Sequence, residues 1–184
     1  MEQTDQDLVF QVRSGDNNAF RSLVERWSRR VYRLAYRMTG QAQDAEDVVQ
    51  ETFYRAYRQL ERFESKASFG TWIFRIAVNC SVDLLRVRKR HVDGEDLPEQ
   101  HSREMPPDRL AESSELRQKF ERSLRLLTQQ ERSAFLLRHY EGCSIEQISL
   151  VMELSETAVK NSIFRAVQKL RRQLEPLCMP AKSN

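Results

Sequence analysis

The chain is poor in residues that interrupt helices and in residues that form cross-links. Its 184 residues include five glycines, five prolines and three cysteines, and apolar residues do not alternate with polar ones as they would in strands. This composition predicts an almost wholly helical protein, because glycine and proline are the main helix breakers. The number of cysteines is odd and they form no C-x-x-C pair: Cys80, Cys143 and Cys178. The sequence therefore indicates neither a disulfide framework nor a zinc site.

Long apolar runs and the usual catalytic motifs are also missing. No apolar run approaches the roughly eighteen residues of a membrane-spanning helix, and the acidic N-terminus does not resemble a signal peptide. The sequence contains no glycine-rich phosphate loop, metal-ligand spacing or pairing of a nucleophile with a base. We therefore expect a cytoplasmic protein that is not an enzyme, does not insert into membranes, and uses no metal, cofactor or small-molecule substrate.

The small net charge of +3 hides three blocks of different sign. Residues 1–90 contain sixteen Lys and Arg against twelve Asp and Glu, residues 91–112 two against seven, and residues 113–184 twelve against eight. The acidic middle block also holds one glycine and three prolines, which is typical of a linker that is flexible in isolation. The sequence thus predicts an all-α fold of two small helical domains joined by a flexible acidic linker, each domain facing a polyanion.

Apolar residues at helical spacing predict four helices in residues 1–90, beginning near Leu8, Ala19, Asp44 and Phe69. The third helix opens with a cluster of acids, which could suggest a metal site. No histidine lies near them, and the helix dipole favours acids in a first turn, so we reject the metal interpretation. The same helix carries three aromatic residues that cannot all point inward, and some of them are expected to form a partner-binding face: Phe53, Tyr54 and Tyr57.

The fourth helix ends in four cations within five positions: Arg86, Arg88, Lys89 and Arg90. One interpretation is electrostatic, because cations are favoured at a helix C-terminus. The other is a groove that follows phosphates, with nearby aromatic residues stacking on unpaired bases. The residues alone leave both open.

A helix-turn-helix with a basic tail is predicted at residues 144–172. Capping boxes at Thr128 with Glu131 and at Ser144 with Gln147 open two of the helices of this half of the chain. After a turn that starts at Glu153, the last helix buries an apolar stripe and carries polar residues on the opposite face: Thr157, Lys160, Asn161, Phe164, Arg165 and Gln168. Such a face suits the DNA major groove, although an ordinary helix pair with a solvated basic face would show the same pattern.

Three stretches together resemble the extracytoplasmic-function sigma factors, the compact class of bacterial RNA polymerase specificity subunits. They are residues 44–57 (DAEDVVQETFYRAY), residues 67–79 with their basic tail (ASFGTWIFRIAVN), and the segment from Glu131 through Val159-Lys160 to Arg165-Ala166. The resemblance implies region 2 in residues 1–90, a linker in 91–112, region 4 in 113–175 and a tail in 176–184.

The resemblance also implies partners and site residues. The helix from Asp44 would dock on the clamp of the polymerase's largest subunit, through Asp47, Gln50, Glu51 and Phe53. The loop at residues 63–68 and the next helix would melt the minus-ten element and capture an extruded base, through Ser68, Thr71, Trp72, Arg75, Asn79, Arg86, Arg88, Lys89 and Arg90. The helix-turn-helix would read the minus-thirty-five element through Thr157, Lys160, Asn161, Phe164 and Arg165, with Arg171 and Arg172 on phosphates. Core RNA polymerase, promoter DNA and an anti-sigma factor are the implied partners.

Three positions depart from the family's pattern. Glu153 stands where many members have the turn glycine, so we expect either a strained positive φ at this residue or a slightly different turn. Ser162 replaces a common arginine, which we expect to remove a phosphate contact, and Gly70 removes a side chain beside the melting surface. Two other hypotheses stay open: a stand-alone helix-turn-helix regulator, which leaves the first four helices without a role, and a helical adaptor that binds only protein.

Overall fold

The computed structural model describes residues 3–64, 67–92 and 114–178, without the side chains of residues 91–92, 114–117 and 175–178. In these residues all regular secondary structure is helical, as predicted. The helices are α1 (Asp5–Arg13), α2 (Asn17–Thr39), α3 (Ala42–Gln59), α4 (Phe69–Val92), α5 (Ser114–Arg125), α6 (Gln129–His139), α7 (Ile145–Met152) and α8 (Glu156–Cys178), with one 3-10 turn at Leu60–Arg62 after α3. Most of the predicted linker lies outside the described residues.

Side-chain caps fix where several of the helices begin. Both capping boxes form, with Thr128 and Ser144 each accepting from the backbone N–H three residues later. Ser68 accepts from the N–H of Thr71 at 3.1 Å, and Ser155 accepts from that of Ala158 at 3.2 Å. Helix α5 ends at Arg125, because the N–H groups of residues 126 and 127 bond three residues back in a tighter turn.

Helices α1–α4 form an N-terminal domain in which α2 packs against the other three. Gly70, at the start of α4, is buried against Trp27 of α2, and a Cβ there would lie 2.3 Å from the indole Cη2. The absent side chain is therefore a packing requirement. The sequence interpretation of Gly70 as a gap in the melting surface is wrong.

Helices α5–α8 form a C-terminal domain in which α6 packs against α7 and α8. Glu131 of α6 is buried and accepts two hydrogen bonds from Lys169 of α8, at 2.7 and 3.0 Å. Burial would raise the pKa of Glu131, but the bonds from Lys169 and Thr128 outweigh it and lower that pKa. This ion pair therefore joins α6 to α8.

The two domains are in direct contact, which the sequence did not predict. Helix α2 packs on α6 and α4 packs on α7. The buried guanidinium of Arg132 donates to the carbonyl of Met38 across the interface, and to carbonyls of its own domain at residues 124, 125 and 127. Arg30 pairs with Glu141 at 3.0 Å, and Arg37 lies 4.0 Å from the centre of the Tyr140 ring. Arginines thus make most of the polar connections between the domains.

Candidate nucleic-acid interface

A cleft of about 280 Å³ lies between α3 and α4 in the N-terminal domain. We call it the α3–α4 pocket, and it is lined by Arg55, Gln59, Arg62, Trp72, Arg75, Ile76 and Asn79. Three of the predicted minus-ten residues, Trp72, Arg75 and Asn79, are thus brought to one site because they share a face of α4. Sequence reasoning missed the pocket residues of α3 and its 3-10 turn. The spacing of residues along α4 does not show which residues of a neighbouring helix pack beside it.

The aromatic wall of the α3–α4 pocket is held by other rings. Trp72 is half-buried, with its ring centre 5.0 Å from that of Phe63 and 5.6 Å from that of Phe69. These tilted contacts fix the indole while one side stays open to the pocket. Opposite it, Arg55 is held by Glu51 at 2.5 Å and by Asp83 at 3.5 Å, and the hydrogen bond to Glu51 raises the pKa of Arg55. The pocket therefore combines a fixed aromatic surface with a permanent cation.

Two other residues predicted to contact the minus-ten element, Ser68 and Thr71, bond each other at the start of α4. The Thr71 hydroxyl lies 2.9 Å from that of Ser68, and Thr71 is buried. Direct DNA contact by Thr71 was therefore a wrong prediction, because its side chain is enclosed by the helix start. Ser68 is exposed, whereas residues 65 and 66 of the same loop lie outside the described residues.

The basic end of α4 divides into one paired cation and three exposed ones. Arg88 is half-buried and bonds Asp44, in the first turn of α3, at 2.9 Å. Arg86, Lys89 and Arg90 are exposed. Arg88 thus joins α4 to α3, and the exposure of the other three cations leaves both interpretations of the cluster open.

The exposed face of α3 carries three of the four residues predicted to bind polymerase. Asp47, Gln50 and Glu51 are exposed. Phe53 is buried and packs edge-on against Phe20 at 6.5 Å, so its predicted contact with polymerase is wrong. Tyr54, 56% exposed, lies on the outer face instead, which confirms that the aromatics of this helix do not all point inward.

The outer face of α8 presents the predicted groove-contacting side chains to solvent. We call this set the recognition face: Thr157, Lys160, Asn161, Phe164 and Arg165, all exposed. Phe164 is 64% exposed, which is unusual for an apolar ring without a partner. Arg171 and Arg172, further along α8, are also exposed. Ser162 faces inward, donating to the Ala158 carbonyl and accepting from Gln130, both at 2.8 Å, and the loss of a phosphate contact there stays a prediction.

Glu153, at the end of α7, has φ 55° and ψ 42°. Of the two alternatives for this turn, the structure has the left-handed conformation, and within the described residues it is the one positive φ outside glycine. Its carboxylate bonds the guanidinium of Arg75, on the rim of the α3–α4 pocket. The turn of the helix-turn-helix therefore touches the other candidate DNA site.

Metal and thiol chemistry find no support in the described part of the chain. It contains no group of three or more His, Cys, Asp and Glu side chains that could hold a metal ion. Cys80 and Cys143 are free and buried, and burial raises the pKa of the Cys143 thiol to about 11. Of the helices described, none is both long and apolar enough to cross a membrane.

Comparison with known proteins gives two matching family descriptions. Sigma-70 region 2 matches residues 23–91, and Sigma-70, region 4 matches residues 117–170. The chain is 32% identical to RNA polymerase sigma-H factor of Pseudomonas aeruginosa, with 98% of each chain covered. It is 35% identical to the ECF RNA polymerase sigma-E factor of Escherichia coli K12, over 95% of this chain and 96% of that one.

Solved structures show the same architecture. CnrH, solved in complex with the cytosolic domain of CnrY, matches with TM-score 0.69 at 26% identity, over 95% of this chain and 99% of CnrH. The Bartonella quintana sigma factor RpoE, solved with the anti-sigma factor NepR, matches in fold with TM-score 0.72 at 23% identity, over 85% of this chain and 96% of that one. The region 2 match covers most of α2 and all of α3, and α4 to residue 91, a part of the chain that a stand-alone regulator leaves without a role. The chain belongs to the extracytoplasmic-function group of RNA polymerase sigma factors.

Proposed function

We propose that this sigma factor divides promoter recognition among three surfaces. The exposed face of α3 binds core RNA polymerase, the α3–α4 pocket captures a base from the melted minus-ten element, and the recognition face reads the minus-thirty-five duplex. The chain acts by binding energy in the cytoplasm and is not an enzyme, while core polymerase carries out the chemistry.

The observation that carries this proposal is the composition of the α3–α4 pocket. Trp72 offers a stacking surface, Asn79 offers both donors and acceptors for a base edge, and Arg75 offers a cation for a phosphate. Its volume of about 280 Å³ lies just below the roughly 300–1,000 Å³ of most ligand pockets. The site therefore suits one planar group, which an extruded base provides.

The recognition face suits a different form of DNA. It is a convex row on one helix, with Lys160 and Arg165 able to reach guanine edges or phosphates and Asn161 able to pair with adenine. The exposed ring of Phe164 fits contact with a thymine methyl group. Exposed Arg171 and Arg172 lie further along α8, where phosphate contacts would set its position on the duplex.

For the polymerase contact we propose the exposed acidic and aromatic face of α3. Asp47, Gln50 and Tyr54 follow one another at helical spacing, so that a single partner surface can cover all three. Arg58 donates to the Tyr54 hydroxyl at 3.1 Å and holds that ring in place. Tyr54 thus takes the aromatic role that sequence reasoning gave to Phe53.

An anti-sigma factor is the further partner that we propose. The family resemblance implies one, and CnrH was solved in complex with the cytosolic domain of CnrY. A protein that covers the exposed recognition face or the rim of the α3–α4 pocket would prevent promoter binding.

Co-purification with bacterial core polymerase, followed by run-off transcription on genomic fragments, tests the proposal. We expect stable binding and discrete start sites. The double variant Gln50→Ala/Tyr54→Ala should lose core binding, whereas Gln173→Ala, at an exposed position on α8, should retain it. A chain that ignored core polymerase yet bound duplex DNA would contradict the proposal and favour a stand-alone regulator.

A further inference from the structure

The two DNA surfaces lie close together in this structure. The bond between Glu153 and Arg75 joins the turn of the helix-turn-helix to the rim of the α3–α4 pocket. Helix α8 begins at Glu156, three residues after Glu153, which is a span of at most about 11 Å. The recognition face therefore starts beside the pocket.

On a promoter the same two surfaces must lie far apart. If the elements are centred about 25 base pairs apart, B-DNA separates them by roughly 85 Å. A compact chain of this length has a radius of gyration of about 16 Å and a diameter of about 40 Å. The closed arrangement cannot reach both elements, so the domains must separate before the chain binds a promoter.

Glu153 differs in its backbone conformation from the other non-glycine residues described at the domain interface. Its backbone adopts a left-handed conformation that glycine adopts freely and that other L-residues disfavour. The partner that the structure gives its side chain is Arg75, which the proposed function assigns to DNA. The Glu153 carboxylate neutralises the Arg75 guanidinium and would repel a phosphate brought beside it. Domain closure and DNA binding therefore compete for one cation.

We propose that Glu153 is a latch, which favours the closed chain by competing with minus-ten DNA for Arg75. This inference rests on the proposed function of the α3–α4 pocket and adds a form of regulation to it. The two side chains are 47% and 63% exposed, so salt screens their attraction. The latch therefore adjusts the closed population and leaves the domains free to open when DNA or polymerase binds.

Single-molecule energy transfer on the full chain measures the latch directly. Dyes attached at Ser22→Cys of α2 and Gln173→Cys of α8, in a Cys178→Ser background, report the distance between the domains. We expect Glu153→Gln to raise the ratio of open to closed chains roughly two- to fivefold, the range for an exposed ion pair. Glu146→Gln makes the same charge change on the same helix and should leave the ratio unchanged. An unchanged ratio in Glu153→Gln would overturn the latch.

Binding to DNA separates the latch from the function of the pocket. The probe is the fluorescent non-template strand of the minus-ten element found by run-off transcription, added to the free chain. We expect Glu153→Gln to bind it roughly two- to fivefold more tightly than the parent chain, and Glu146→Gln to bind it equally. A more open chain with unchanged affinity would overturn the competition for Arg75. No binding by any variant would overturn the proposed role of the pocket, while energy transfer would still decide whether Glu153 closes the chain.

Discussion

In the proposed function, the α3–α4 pocket and the recognition face bind the same polymer in different ways. The pocket takes its walls from two helices, and its indole is held between other rings. The recognition face takes all its side chains from one helix and holds them in solvent. An unpaired base must be enclosed to compensate for lost stacking, whereas a duplex must be able to approach a protruding surface. The shape of each site thus suits the state of the DNA that the proposal assigns to it.

The strongest test of this comparison is to weaken one domain and leave the other intact. Arg132→Met removes the buried guanidinium that donates to carbonyls of α5 and its following turn, and should lower the free energy of unfolding of the C-terminal domain by about 2–4 kcal/mol. Both tryptophans, Trp27 and Trp72, lie in the N-terminal domain. In urea, circular dichroism should therefore show an early loss of helix that tryptophan fluorescence does not follow.

Arg122→Met is the control for that experiment, since Arg122 is exposed and its bond to Gln118 is a long 3.4 Å. Its unfolding curves should match those of the parent chain by both methods. Coincident shifts of both signals in Arg132→Met would mean that the two domains unfold as one unit and not separately.

Trp72→Ala separates melting from duplex reading. Stacking of a base on an aromatic ring contributes about 1–3 kcal/mol, so open-complex formation on duplex promoters should fall by roughly 5- to 150-fold. A template melted beforehand across the minus-ten element should be spared much of this loss, and binding to core polymerase should be unchanged. Equal impairment on both templates would show that the ring does not act in opening.

Arg165→Ala tests the recognition face. Loss of a base-reading arginine should cost about 1–3 kcal/mol on the preferred minus-thirty-five sequence and less on others, changing which promoters are used. Run-off transcription on a set of upstream sequences measures this preference, with Gln173→Ala as the control. Uniform loss on every promoter would indicate a phosphate contact instead.

Acid gives the smallest expected effect, and it again distinguishes the domains. The pKa of Glu131 is lower in the folded chain than in the unfolded one, so the unfolded state binds more protons as the pH falls. Its stabilising contribution is present above the ordinary pKa of about 4.3 for glutamate and is lost as the pH falls through the folded value. In Glu131→Gln, the free energy of unfolding measured by circular dichroism should depend less on pH in this range. The pH dependence of unfolding measured by tryptophan fluorescence, which reports the N-terminal domain, should not change.

Helix positions and the recognition face could be predicted from sequence because both depend on one periodic pattern. Sites made by two elements could not. Arg55, Gln59 and Arg62 reach the pocket only because α3 packs beside α4. Phe53 and Thr71 were misassigned for a related reason: a family motif mixes residues that bind with residues that hold the helix, and burial alone separates them. Gly70 likewise needs the opposing Trp27 before its role is visible.

The bonding of Arg132 has a consequence for how the chain opens. Three of its four carbonyl partners belong to its own domain and one, Met38, belongs to the other. When the domains part, the guanidinium loses a single partner and remains solvated by the rest, so no isolated charge is stranded in an apolar interior. The contact between the domains can therefore break and form again, and the two domains can part and meet without either of them unfolding.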